Sequence, residues 1–148
     1  MKEVIQHILT MAHSRLQNYA GVPGLHSFLL GAQSEHGTVR MFVASRDQHE
    51  HVTPHSHGFD FQCLVLSGEV TNIIFKGNSS KQVSDVFAER NIKYLGLPGQ
   101  YENVDLVCGL FSHESHTYKA GQSYGMNHDQ IHSIKFSRDA VVLFFEGS

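Results

Sequence analysis

No apolar run in this sequence reaches the ~18 or more residues that a membrane-spanning helix takes. Basic residues do not cluster either. Lys and Arg number 11 against 14 Asp and Glu, a net charge of −3. Neither nucleic acid nor an anionic membrane surface is therefore expected as a partner, and no segment reads as a helix-turn-helix. The opening stretch MKEVIQHILTMAHSRLQNYA lacks the continuous apolar centre and small-residue cleavage site of a signal peptide, which makes a cytoplasmic location the expectation. Cysteine is scarce: Cys63 and Cys108 each lie in an apolar run, where reduced, buried thiols are expected rather than a disulfide. Internal repeats and low-complexity tracts are absent.

What is present describes a globular chain. The 148 residues are 41% hydrophobic and 17% charged, read as one domain (1–148) that buries about 70% of its extended surface. Val4, Ile5, Ile8, Leu9, Ala12, Leu16 and Tyr19 recur at helical spacing, which predicts an amphipathic helix over 1–20, stopped by Gly21, Pro23 and Gly24. A β region follows over 25–148. Strands are predicted at 27–30, 38–45, 59–75 with a hairpin turn at Ser67-Gly68-Glu69, 104–110, 118–126, 131–136 and 140–145. Residues 76–101 fit a helical turn or a ragged strand. This series predicts an all-β antiparallel sandwich or small barrel.

Histidine is abundant, at 12 residues, and His49, His51, His55 and His57 crowd into one segment. Extended side chains repeat every second residue, so His55 and His57 project to one side and their imidazoles can meet at a point. Neutral imidazole is the commonest protein ligand for zinc, copper, iron and nickel. His49 and His51 share the spacing and form a rival pair, but they lack a glycine at the distance at which Gly68 follows His57.

His55-x-His57, Phe61 and Gly68, with the text LVLSGEV, resemble the first motif of the cupin superfamily. That motif is a histidine pair, a glutamate three or four residues on, and a closing glycine. Tyr118 to Tyr124 with Gly121, then Asp129-Gln130-Ile131-His132, resembles the second motif. The resemblance spans roughly residues 38–146. It implies a cupin-type double-stranded β-helix, or jelly-roll barrel, with an N-terminal helix, and a metal held by His55, His57 and His132. The glutamate position falls on Phe61, which cannot coordinate; Phe61 belongs with the apolar set of Cys63 and Val65. Gln62 or Asp60 is a weaker fourth ligand candidate.

Three neutral imidazoles leave the charge of a divalent ion uncompensated, so such a site favours an anionic ligand from outside. Cupins without the glutamate include thiol and diketone dioxygenases. The resemblance thus implies a mononuclear iron(II) dioxygenase acting on a small anionic chelator, with zinc, nickel or manganese as other occupants. A ligand-binding cupin without turnover and a metal-dependent sugar isomerase or lyase are the alternatives. Tyr118, Tyr124 and His116 are candidate acid–base or hydrogen-bonding groups. Arg40, Phe61 and Asp60 are candidate substrate contacts, Arg40 as a carboxylate clamp. His113 is read with His116 in a polar turn, and His128 as a surface or supporting residue. A homodimer is expected, with the N-terminal helix covering a sheet edge or a partner.

Overall fold

The computed structural model describes residues 2–34, 37–48, 51–77, 85–94 and 101–147. In chain order these form α1 (Lys2–Thr10), β1 (Ser14–Leu16), a 3₁₀ turn (Tyr19–Gly21), β2 (Leu25–Ser34), β3 (Gly37–Ala44), β4 (Phe61–Ser67), β5 (Glu69–Gly77), β6 (Asp85–Tyr94), β7 (Tyr101–Lys119), β8 (Ser123–Met126), β9 (Ile131–Phe136) and β10 (Val141–Glu146). A six-stranded sheet runs β1-β2-β3-β10-β4-β8, and a four-stranded sheet runs β6-β7-β5-β9. This is a cupin-type jelly roll. The chain divides into two compact units, Met1–Ile74 with Ser115–Ser148, and Phe75–Glu114.

In the first unit, alternation along the strands sorts side chains into two clusters. Phe42 and Ala44 of β3, Phe61, Cys63 and Val65 of β4, Val142 and Phe144 of β10, and Val70 of β5 join the main core. Met41, Phe28 and Val141 face the other way and are covered by Ile5, Ile8, Leu9 and Ala12. The N-terminal helix therefore covers a sheet face rather than an edge. It is also shorter than predicted. Its last turn closes with Met11 N–H to Ile8 O and Ala12 N–H to Leu9 O, and Ser14–Leu16 then pairs with Leu29–Ser27 of β2. Strand pairing overrides helical periodicity from residue 13 on, and Tyr19 reaches the main core from the 3₁₀ turn. In the second unit, β6 and β7 form a long antiparallel ladder from Asp85↔Phe111 to Tyr94↔Tyr101. Of the two readings for 76–101, the strand is thus observed over Asp85–Tyr94. The side chain of Cys108 lies outside the described residues; Cys63 is a free, buried thiol.

Two turns differ from expectation. Ser67-Gly68-Glu69 is no hairpin, because β4 and β5 belong to different sheets. Gly68 marks the crossing: at φ +66 a Cβ there would lie 2.8 Å from Ala140 Cα and 2.8 Å from Ser137 Oγ. Residues 113–116 form no turn either, since β7 continues to Lys119; the reversal comes at Ala120-Gly121-Gln122. Gly68→Ala should accordingly destabilise the fold by roughly 2 kcal/mol or more, through left-handed strain and contact with backbone. Gly31→Ala, which meets nothing within 4 Å, should stay within about 0.5 kcal/mol. Urea unfolding of both variants measures the difference.

Candidate metal centre

His55 reaches the site without a regular strand. Residues 52–57 run beside β9, held by Val52 N–H to Ile134 O (2.9 Å), Ser133 Oγ to Val52 O (2.6 Å) and His57 N–H to His128 O (3.1 Å). His55 and His132 exchange both backbone bonds at 2.8 Å. The rings then cluster, with centroids 4.8 Å apart for His55 and His57, 4.7 Å for His55 and His132, and 5.2 Å for His57 and His132. One ring nitrogen from each lies within 4.8 Å of the other two.

Two of the three tautomers are set by groups that only accept. His132 Nδ1 lies 2.8 Å from Asn72 Oδ1, and His55 Nδ1 lies 2.7 Å from the Thr53 carbonyl oxygen. Each Nδ1 must donate, with Asn72 oriented so that its own amide donates to Met126 Sδ. Both Nε2 atoms are left with lone pairs facing the cluster. His57 Nε2 is 3.0 Å from His132 Nε2. Two nitrogens at right angles around one ion, each about 2.1 Å from it, sit about 3.0 Å apart. The donor set fits a divalent metal.

The surroundings keep the imidazoles neutral. Burial, with the neighbouring His55 ring adding to it, pushes the His57 pKa down to about 4. Burial, with His55 and His57 adding to it, pushes His132 down to about 3. Phe61 packs its ring 4.7 Å from His57 and 5.5 Å from His132, so the motif's glutamate position holds an apolar ring against the histidines, but Phe61 is not among the residues that line the cavity. A cavity of about 80 Å³ opens on the histidines, walled by Leu25, Phe42, Val52, Phe59, Phe136 and Phe144 among others. It has room for only a few heavy atoms beyond several waters.

Of the tyrosines, Tyr124 lines the cavity, and Tyr118 stacks behind it at 4.4 Å and 21°. Tyr124 Oη is buried with no properly placed hydrogen-bond partner. Burial raises its pKa well above 10, and the adjacent Cys63 thiol adds to the shift. Cys63 also lines the cavity, and burial pushes its pKa up to about 12.

Other candidates are not brought to the cluster. Gln62 is exposed on the outer face of β4 and folds its amide over Gly125, because neighbours on a strand face opposite sides. Asp60 is at the surface, accepting from His128 N–H at 2.7 Å and His128 Nδ1 at 3.0 Å; these bonds hold its pKa below the usual carboxylate value. It braces the loop whose His128 carbonyl holds His57. His116 is exposed on β7, His113 is exposed on the same strand, and His51 is exposed outside the cluster. His49 lies outside the described residues. Arg40 does not line the cavity; its Nε donates to Glu146 Oε1 at 2.9 Å.

Two site residues were missed in the sequence. Asn72 is fully buried beside Val70 on β5, and a polar residue on the inward phase of VTNIIF is the signal that reveals it. Glu146 shares the inward phase of β10 with Val142 and Phe144.

Asn72→Leu should weaken metal affinity by roughly 10–100-fold while leaving the far-ultraviolet circular dichroism unchanged, because His132 loses the partner that fixes its ring. A metal titration against a chelator of known strength measures it. The metal-free protein should also lose stability on acidification. His57 and His132 bind protons in the unfolded chain from pH about 6.5 downwards, but in the fold only near 4 and 3. The unfolded state therefore takes up more protons across this window, and stability falls as pH falls. Melting in excess chelator between pH 7 and 4.5 should show this slope, shallower in His132→Gln.

No family model matches the sequence, and no curated protein matches it. Among solved structures, KdgF from a Halomonas species superposes with a TM-score of 0.52 at 14% identity, over 92% of this chain and 89% of that one. The cupin domain of Drosophila melanogaster CENP-C gives 0.54 at 8% identity, over 99% and 94%. A Bacillus subtilis oxalate decarboxylase gives 0.55 at 12% identity, over 94% of this chain but 28% of that longer one. With the motif histidines gathered in one cluster, the protein has the fold of the cupin superfamily.

Proposed function

We propose that this chain is a metal-dependent cupin that takes a small anionic chelating substrate and oxidises it as a mononuclear non-haem iron(II) dioxygenase. The observation that carries this reading is the donor set: three imidazoles with no carboxylate among them, facing a small apolar cavity. Such a set leaves positive charge for an anionic ligand to complete. A redox-active ion bound there supplies the electron chemistry.

The protein's own residues position and shield. His55, His57 and His132 would hold the metal. Phe59, Phe61 and Phe144 pack around His57 and keep water away. Proton transfer by His57, His132, Cys63 or Tyr124 is disfavoured at neutral pH. His57 and His132 are held low, while Cys63 and Tyr124 are held high. A protonated Tyr124 can donate a hydrogen bond but makes a poor base. This favours oxidation over an isomerase or lyase that needs a histidine or tyrosine base. It fits a ligand-binding cupin without turnover equally well, and that is the second reading.

Elemental analysis of protein purified without added metal, followed by oxygen uptake with small thiols and diketones, separates the two. Bound iron with substrate-dependent oxygen uptake supports the dioxygenase. Ligand binding by metal-free protein with no oxygen uptake overturns it. His57→Ala should abolish metal retention. His128→Ala should keep it, because His128 acts on His57 through its backbone carbonyl.

A further inference from the structure

Glu146 is the one acidic side chain among the described residues that line the cavity. Its backbone is held from both sides, opposite Thr38 on β3 and opposite Phe61 on β4. Gly37 packs so closely on the Glu146 carbonyl that no Cβ would fit there. Gly147 N–H donates to Asp60 O at 2.7 Å immediately beyond. Arg40 then fixes the side chain at 2.9 Å, and the Glu146 side chain is 16% exposed.

A part-buried ion pair of this kind contributes little net stability, because desolvation and side-chain ordering offset the attraction. Glu146 is not in the cluster of potential metal ligands among the described residues. A carboxylate has about four lone-pair sites, and the Arg40 Nε–H bond occupies one. Arg40 balances its charge, and the remaining acceptor sites belong to a side chain that lines an otherwise largely apolar space.

We propose that Glu146, positioned by Arg40, is the substrate-orienting acceptor of this cavity, so that its ligand is a small anion that also carries a hydroxyl or amino group. The proposal rests on reading the three histidines as a metal site. The anionic group meets the histidines, and the donor meets Glu146. An anion of the same size without the donor leaves the part-buried carboxylate without that hydrogen bond, and binds more weakly for that reason.

The test uses full-length protein loaded with cobalt(II), whose visible bands report ligand binding without turnover. Propanoate, 3-hydroxypropanoate and 3-aminopropanoate are the probes, titrated against wild type and Glu146→Gln. Wild type should bind at least one donor-bearing probe about tenfold more tightly than propanoate. The hydroxyl and amino arms tell which donor is preferred. Glu146→Gln should load cobalt equally and reduce the preference to under about threefold. Cobalt loading without discrimination in wild type, or with undiminished discrimination in the variant, overturns the role of Glu146 and leaves the metal site standing. Failure to load cobalt overturns the metal site and this inference together. The wild-type comparison decides the matter even if the variant does not fold.

Discussion

The reciprocal backbone pair between His55 and His132 is the contact on which the rest of the site depends. Residues 52–57 belong to no long strand, so a few bonds to β9 determine their register. In extended chain, a slip of one residue turns every side chain to the opposite face. Both imidazoles of the His55 pair would then leave the cavity, taking the site with them. The pair also passes the order of the jelly roll to the chemistry, because β9 is itself a strand of the four-stranded sheet.

Around that contact, polar and apolar neighbours act together. Asn72 and the Thr53 carbonyl orient two rings, while Phe59, Phe61 and Phe144 make the charged imidazolium form unfavourable. Neutral, oriented imidazoles are what a divalent ion needs. Loss of the motif's glutamate therefore does two things. It removes a compensating charge, and through Phe61 it sets an apolar ring against the histidines. Both changes shift the task of neutralising the ion to the incoming molecule.

Much of this was legible in the residues. The period of two placed His55 and His57 side by side, and β9 was read at its observed bounds, 131–136. The apolar set Phe61, Cys63 and Val65 held because alternation is a local property. What escaped was non-local. The helical spacing of the N-terminus was true to residue 12, but Leu16 is on a strand because β2 offers backbone partners that a free helix does not have. Gly68 was recognised as a break, yet which sheet the chain enters afterwards depends on partners far away in sequence. Arg40 was read as a clamp for substrate, and its partner proved to be Glu146 across the β3–β10 ladder. Nothing near either residue announces that pairing.

One feature of the six-stranded sheet has a bearing on how the molecule assembles. Because β10 lies between β3 and β4, those two strands present unpaired edges until the last strand arrives. Closing that gap requires contacts at large sequence separation, a topology associated with slow folding and with exposed edges along the way. Glu146 is carried into the cavity lining by this strand. That side of the pocket therefore depends on both ladders, to β3 and to β4, being formed.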